Sequence, residues 1–240
     1  MDQLKLLTLS GISYAYNLDG STRSETSFAN LAFASDVSAP TTNRHYRVTA
    51  DASGVYTGLA AGSTGSVDAT DVLSYKAVVD AGVKARRNYL PGMMKDGRDY
   101  YVCLVSPEGY AQLKKDEDFQ RAVIQGGPRS LDNPWFTGGM VTIDGFVFHE
   151  HRLVYNTLGA AGGSKWGGGN VDGSRALILG RQALGYVDLG APEWVEKKFQ
   201  YDSMIGINVD KMFGLLKPKF YNVNTGAVED FGVLCIDHAI

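Results

Sequence analysis

The sequence predicts a mixed α+β fold, and three observations lead to that prediction. Glycine accounts for 29 of the 240 residues, and such a share disfavours a helical bundle because glycine weakens helix interiors. Segments with apolar residues at helical spacing alternate with short apolar runs of strand length, and the strands concentrate towards the C-terminus. Charged residues make up 20% and hydrophobic residues 44% of the chain, which is the composition of a globular protein.

The first third of the chain is predicted to contain a short helix, a long loop and a longer helix. Residues 1–11 read as the end of a helix that stops at a glycine. Residues 12–66 show little periodicity and are predicted to be loop. A helix capped by Asp68 or Thr70 follows and reaches about Arg87, since its apolar residues recur on one face.

The middle of the chain is predicted to combine strands and helices. Tyr100–Val105 is a continuous apolar run, which favours a strand buried on both faces. Ser106 and Pro107 favour a helix start, because serine caps helices and proline fits the first turn. A second short helix starts at Asp116, and Asp144-Gly145 between two apolar runs predicts a tight hairpin.

The last third is predicted to be rich in strands after a glycine-rich loop at 156–174. A short helix is predicted at Arg181–Val187. Lys217-Pro218-Lys219 is predicted to break a strand, because proline cannot donate a ladder hydrogen bond. The predicted strands are Ala176–Leu179, Trp194–Tyr201, Ile205–Val209, Met212–Leu216 and Gly232–Ile236.

Charge and cysteine content disfavour several classes of protein. The 23 basic and 26 acidic residues give a formal net charge of -3, so nothing attracts the chain as a whole to nucleic acid or to an anionic membrane. No apolar run approaches the ~18 residues of a membrane span, and the N-terminus does not resemble a signal peptide. Cys103 and Cys235 lie in apolar runs, which predicts buried thiols in a reducing compartment. We therefore expect a soluble protein made in a cytoplasm.

The best candidate for chemistry is the run His149–His151. Alternate residues of a strand share a face, so both imidazoles could hold a metal ion. A further ligand would have to come through the fold from His45, His238 or Asp237. A metal-dependent hydrolase is therefore one hypothesis; the alternative is a strand end with a solvated histidine. No complete phosphate-binding or nucleophile motif is present, and no cofactor is predicted.

Six stretches of the sequence carry a resemblance to a known family. They are Asp2–Gly11, Ala39–His45, Tyr101–Asp116, Asn133–His151, Ala176–Ala183 and Gly206–Asp237. In this order and spacing they resemble the major capsid proteins of tailed double-stranded DNA phages. More narrowly, they are similar to the branch found in N4-like podophages and many prophages.

The resemblance implies the Hong Kong 97-type capsid fold, which has a peripheral domain with a long spine helix and an axial domain at the capsomer centre. It implies that residues 1–59 hold the end of the spine helix and a loop region of the peripheral domain. Residues 60–187 would be the axial domain, and residues 188–240 the C-terminal strands of the peripheral domain. The N-terminal arm, the extended loop and most of the spine helix would be missing from this chain.

The resemblance also implies a structural function and no enzymatic activity. The chain would self-assemble into an icosahedral shell around phage DNA, belong to the virion capsid and be made in the bacterial host cytoplasm. Its partners would be copies of itself in pentamers and hexamers, scaffolding, portal or decoration proteins, and packaged DNA bound without sequence specificity; no membrane contact is expected. Candidates for charged contacts between subunits are Lys84, Arg86, Arg87, Glu196, Lys197 and Lys198.

A binding module is the alternative to a shell subunit. Trp166 in the glycine-rich loop suggests a phage tail protein or a carbohydrate-binding protein. The metal-dependent hydrolase ranks behind it.

Overall fold

A computed structural model describes residues 2–11, 39–95, 97–126, 141–163, 165–201 and 203–240. The helices are α1 (Asp2–Ser10), α2 (Tyr75–Arg87), α3 (Pro107–Lys115) and α4 (Glu117–Gly126), with 3-10 turns at Thr42–Arg44 and Thr64–Ser66. The first strands are β1 (His45–Ala50), β2 (Tyr56–Ala61), β3 (Met93–Lys95), β4 (Arg98–Val105), β5 (Thr142–Ile143), β6 (Phe146–Glu150) and β7 (Gly173–Leu179). The remaining strands are β8 (Gly185–Asp188), β9 (Glu193–Phe199), β10 (Met204–Asp210), β11 (Phe213–Leu216), β12 (Lys219–Asn222), β13 (Ala227–Asp230) and β14 (Val233–Ala239).

An eight-stranded mixed sheet organises the molecule. Its order is β2-β1-β14-β7-β4-β6-β5, and β3 pairs with β4. The strand β14 runs parallel to β1 and antiparallel to β7, and all seven of its residues are buried. These strands come from the segments 1–59, 60–187 and 188–240 alike, so parts of the chain that are far apart in sequence share one core.

Helices cover both faces of the central strands. On one face, α2, α3 and α4 pack their apolar residues against β4, β6, β7 and β14. On the other face, Leu6 and Leu9 of α1 contact Leu177, Val233 and Cys235. Burial on both faces explains why β14 is a nearly uninterrupted apolar run.

Three local signals, at Gly11, Ser106 and Asp144-Gly145, are confirmed. Helix α1 ends at Gly11, whose φ is 64°, and the Ser106 hydroxyl accepts the Gly109 N–H at the start of α3. Asp144 and Gly145 have φ values of 50° and 81° in the hairpin between β5 and β6. These conformations need no distant partner, so the sequence pattern is sufficient to predict them.

Both thiols are free and buried, as predicted. Burial raises the pKa of Cys103 and of Cys235 to about 12. Within the residues that the structure describes, no helix is long and apolar enough to cross a membrane.

Two predictions in the first third of the chain are wrong. Part of the predicted loop forms the hairpin of β1 and β2, because β1 finds a partner in β14 nearly 190 residues away. Helix α2 begins after Ser74, whose hydroxyl accepts the Ala77 N–H, and not at Asp68 or Thr70. Those two residues belong to a preceding turn that is closed by the buried carboxylate of Asp71.

Two predictions elsewhere are also wrong, and one hairpin was missed. The helix predicted at Arg181–Val187 is instead a turn, with Gln182 at a φ of 57°, followed by the strand β8. The hairpin of β12 and β13 was not predicted. In β4 only alternate residues are fully buried, and Val102 and Leu104 are half-buried, so the two faces differ. The resemblance at 133–140 and the predicted loop at 12–38 lie outside the described residues.

Candidate functional site

Among the residues that the structure describes, a long β-hairpin at residues 185–216 is largely exposed; it is called the projecting hairpin here. Its base is formed by β8 and β11, and its outer part by β9 and β10. All residues of β9 are exposed, and β10 is exposed except at Gly206. A two-stranded ribbon with so little burial gains little stability from its own packing, which points to contacts outside the chain.

One face of the outer hairpin carries four exposed apolar side chains beside Glu196 and Lys198. Residues directly opposite in an antiparallel pair share a face, and the register pairs Trp194 with Val209, Glu196 with Ile207 and Lys198 with Ile205. Trp194 is 63% exposed and Ile207 58% exposed. Exposed large apolar residues in one contiguous row are typical of a protein–protein contact.

The other face carries two opposed carboxylates. Glu193 and Asp210 are directly opposite each other, an arrangement that destabilises a strand pair through charge repulsion. Lys211 is close in sequence but lies 2.9 Å from Asp188, and its hydrogen bond lowers the pKa of that carboxyl. In the part of the chain that the structure describes, no basic group lies within 4.0 Å of Glu193 or Asp210.

A recess lies beside these two carboxylates. It has a volume of about 350 Å³ and is lined by Glu193, Asp210 and Lys211 together with the apolar side chains of Leu189 and Met212. Because Lys211 is paired with Asp188, the two carboxylates of the recess have, among the described residues, no basic partner of their own beside this apolar surface.

The end of α2 offers the opposite charge. Arg86 and Arg87 are exposed, and among the described residues neither has a carboxylate within 4.0 Å. Lys84 instead is half-buried, with its Nζ 5.6 Å from the centre of the Tyr46 ring. The six predicted contact residues thus fall into two groups on separate elements, one on α2 and one, Glu196–Lys198, on β9.

A buried ion pair anchors the centre of the sheet. Arg175 on β7 donates to both oxygens of Asp237 on β14, over 2.5 Å from Nε and 2.9 Å from Nη2. His45 Nε2 on β1 lies 2.6 Å from the same carboxylate. Burial alone would raise the pKa of Asp237, but the hydrogen bonds from His45 and Arg175 lower it overall. Arg175 also donates to the Ser10 carbonyl, which ties α1 to the sheet.

A second buried ionic cluster holds the hairpin of β12 and β13. Lys217 lies 3.1 Å from Asp230, and Arg44 lies 3.4 Å from Glu229, with all four side chains almost fully buried. Burial alone would raise the pKa of Glu229, but hydrogen bonds from Thr225, Asn43 and Asn222, with the charge of Arg44, lower it. In this cluster Arg44 Nε and Nη1 and Asp230 Oδ1 are buried without a hydrogen-bond partner among the described residues, so its ion pairs offset the cost of burial only in part. Both clusters are structural ties.

The histidines do not come together as the metal hypothesis requires. The rings of His149 and His151 are 6.2 Å apart, but His45 is engaged with Asp237. His238 is fully buried, and burial lowers its pKa to about 4. Among the described residues, no group of three or more histidine, cysteine or acidic side chains could hold a metal ion.

Trp166 is buried, not exposed as a sugar-stacking platform would be. It is 5% exposed, stacks on Tyr155 at 5.9 Å between ring centroids, and packs with Val67 and Ala239. The alternative of a carbohydrate-binding module therefore has no support from this residue.

The described surface thus combines exposed apolar and charged side chains on a core held by buried ion pairs. Comparison with known proteins identifies the family: the chain belongs to the phage capsid protein family, which matches residues 6–240. This is a family of structural proteins and not an enzyme family. The resemblance drawn from the six sequence stretches is confirmed at this level.

A curated relative and two solved structures support the assignment. The chain is 44% identical over 237 residues to a major capsid protein of Pseudomonas phage KPP25, covering 98% of this chain and 62% of the relative. It is similar to the capsid of Ralstonia phage GP4, with a TM-score of 0.65 and 26% identity over 99% of this chain and 62% of that chain. The cyanophage Pam1 capsid has a similar fold, with a TM-score of 0.60 and 19% identity over 82% of this chain and 54% of that one. The chain thus spans about 62% of the length of the curated relative.

Proposed function

We propose that the chain is a major capsid subunit that self-assembles into an icosahedral shell around phage double-stranded DNA. The observation that carries the proposal is the projecting hairpin, with its exposed apolar row at Trp194, Ile205, Ile207 and Val209, in a chain of the phage capsid family. A monomer would leave this row in water, whereas a neighbouring subunit would cover it.

Symmetric repetition explains how modest contacts can hold a shell. Each contact between copies recurs around a closed ring, so contacts that are weak individually act together. The formal net charge of -3 suits close packing of copies, because a chain near neutrality repels itself little. We infer that the copies form pentamers and hexamers.

The finer assignments are also proposals. The similarity to phage capsid structures supports the Hong Kong 97-type fold, and the six sequence stretches support the N4-like branch. We propose residues 60–187 as the axial domain, with 1–59 and 188–240 in the peripheral domain; β1 and β14 from these outer segments complete the sheet of the axial segment. We further propose packaged DNA as a partner without sequence specificity, scaffolding, portal or decoration proteins as other partners, and synthesis in the host cytoplasm.

The six charged contact candidates keep their proposed role with one distinction. Arg86, Arg87 and Glu196–Lys198 are exposed. Lys84 also serves its own chain through Tyr46, so we assign it the smallest share of any contact between subunits.

Sedimentation velocity at increasing protein concentration tests the proposal, with electron microscopy of the same samples. We expect rings or shells to appear as the concentration rises, and to lose stability as salt screens the charged contacts. A monomer at every concentration reached, or an aggregate without closed symmetry, would contradict the proposed function.

A further inference from the structure

We propose that Arg86 and Arg87 of one copy form ion pairs with Glu193 and Asp210 in the projecting hairpin of the neighbouring copy. The inference rests on the proposed function, since it names the two surfaces through which capsid subunits meet. It commits to one occupant for the recess beside the two carboxylates, namely the end of α2 from a second copy of this chain.

The acidic side of the contact carries two like charges that repel each other in the isolated chain. Glu193 and Asp210 face each other across the strand pair, and the adjacent Lys211 is already paired with Asp188. Asp210 accepts a hydrogen bond from the Asn208 amide over 2.7 Å, which brings no positive charge. A cationic group from outside the chain would relieve the repulsion.

The basic side matches this need. Arg86 and Arg87 flank the exposed Val83 on the helix surface, at spacings of three and four residues. Arginine is the cation best suited to such a site, because its planar guanidinium pairs with carboxylates through two hydrogen bonds and is weakly hydrated. Arginine is also enriched among residues that dominate binding energy at interfaces.

Apolar surface accompanies the charges on both sides. Leu189 and Met212 line the acidic recess and are about two-thirds exposed. Tyr89 and Met94 follow α2 in the chain and are similarly exposed. Contact between these surfaces would therefore bury apolar area around a charged centre, which is the usual composition of a protein–protein interface.

The contact joins two different surfaces of the same chain. Such a head-to-tail contact leaves one hairpin and one α2 end free at the ends of any open chain of subunits, and it is satisfied throughout only when a ring closes. The inference therefore explains ring formation with a single type of contact.

Charge reversal tests the contact. The first variant is Arg86→Glu with Arg87→Glu, the second is Glu193→Arg with Asp210→Arg, and the third combines all four substitutions. We expect the first two to weaken assembly by about 100-fold or more, because like charges then face each other. The combined variant should assemble again, since opposite charges meet at every contact. An equal mixture of the first two variants should form rings with an even number of subunits, in which the variants alternate, but not pentamers.

A matched control uses the end of another helix. Lys114→Glu with Lys115→Glu removes two basic residues from the last turn of α3, as the first variant does in α2, and we expect assembly close to that of the unaltered chain. Circular dichroism of each variant checks that the monomer remains folded, which we expect because all four reversed residues are exposed.

The outcomes separate the two proposals. If the unaltered chain never assembles, the proposed function fails and the contact fails with it. If the unaltered chain assembles and either double reversal assembles equally well, the contact is overturned while the proposed function stands. Failure of both the mixture and the combined variant to assemble would also overturn the contact.

Discussion

Arg175 and Asp237 form a two-point ion pair between neighbouring strands at the centre of the sheet. Their hydrogen bonds measure 2.5 Å and 2.9 Å, and both side chains are almost fully buried. The same arginine holds the carbonyl at the end of α1. The pair therefore joins β7 to β14 and ties α1 to the sheet.

Removing one partner of this pair should be strongly destabilising. In Arg175→Met, Asp237 would remain buried without its arginine, and we expect the free energy of unfolding to fall by about 3–5 kcal/mol. Urea unfolding of the monomer measures this change. The double variant Arg175→Met with Asp237→Leu should lose less stability than the single variant, because it leaves no unpaired charge buried at this position. A decrease below about 1 kcal/mol in the single variant would contradict the role assigned to the pair.

His238 should make the folded chain less stable in mild acid. Burial lowers its pKa to about 4 from an ordinary value of 6.5, so between these values the unfolded chain binds a proton that the folded chain does not. Stability is then complete above about pH 6.5 and is lost as the pH falls towards 4, by about 2 kcal/mol between pH 7 and pH 5.

Urea unfolding at pH 7 and pH 5 measures this dependence. His238→Gln should remove most of it, whereas His149→Gln, which changes an exposed histidine, should leave it in place. Equal pH dependence in the His238 variant and the unaltered chain would show that another group is responsible. Asp237 and Glu229 have pKa values lowered from 3.8 and 4.5. The stability that they contribute is therefore lost below those values, outside the interval from pH 7 to pH 5.

The apolar row of the projecting hairpin should matter for assembly and not for folding. Replacing Ile205, Ile207 and Val209 together with threonine keeps the strand preference and removes apolar surface. We expect unchanged unfolding of the monomer and an association free energy weaker by about 1 kcal/mol for each side chain replaced. Sedimentation velocity measures the difference, with Val228→Thr on β13 as the control. Unaltered assembly of the triple variant would mean that this row faces solvent in the shell.

Cross-linking offers a direct view of the proposed contact between copies. The native thiols at Cys103 and Cys235 are buried and have raised pKa values, so they should not react in the folded protein. Arg87→Cys mixed with Glu193→Cys should give a covalent dimer with a short bis-maleimide reagent. Mixing Arg87→Cys with Val55→Cys, an exposed site in the β1–β2 turn, is the control, and equal dimer yields in both mixtures would argue against the contact.

Local chemistry decided which parts of the fold were predictable. The serine cap before α3 and the Asp144-Gly145 hairpin were correct because each depends on adjacent residues. The hairpin of β1 and β2 was missed because its stability comes from β14. The strand β8 was mistaken for helix because its partner, β11, begins 25 residues after β8 ends.

The candidate site was predictable only in part. The sequence placed Glu196–Lys198 among the contact residues, and they lie on the projecting hairpin. It missed Glu193 and Asp210, because only the strand register brings them opposite each other. It gave Asp237 only as one of three residues that could supply a further metal ligand. A charged residue within an apolar strand was the available signal for a buried ion pair, but the sequence does not identify Arg175 as its partner.

Electron microscopy of the concentrated protein tests the central claim most directly. We expect closed rings or shells in which the projecting hairpin of each copy lies on the end of α2 of the next, with Glu193 and Asp210 beside Arg86 and Arg87. Particles without closed symmetry, or monomers alone, would contradict the claim that this chain is a shell-forming capsid subunit.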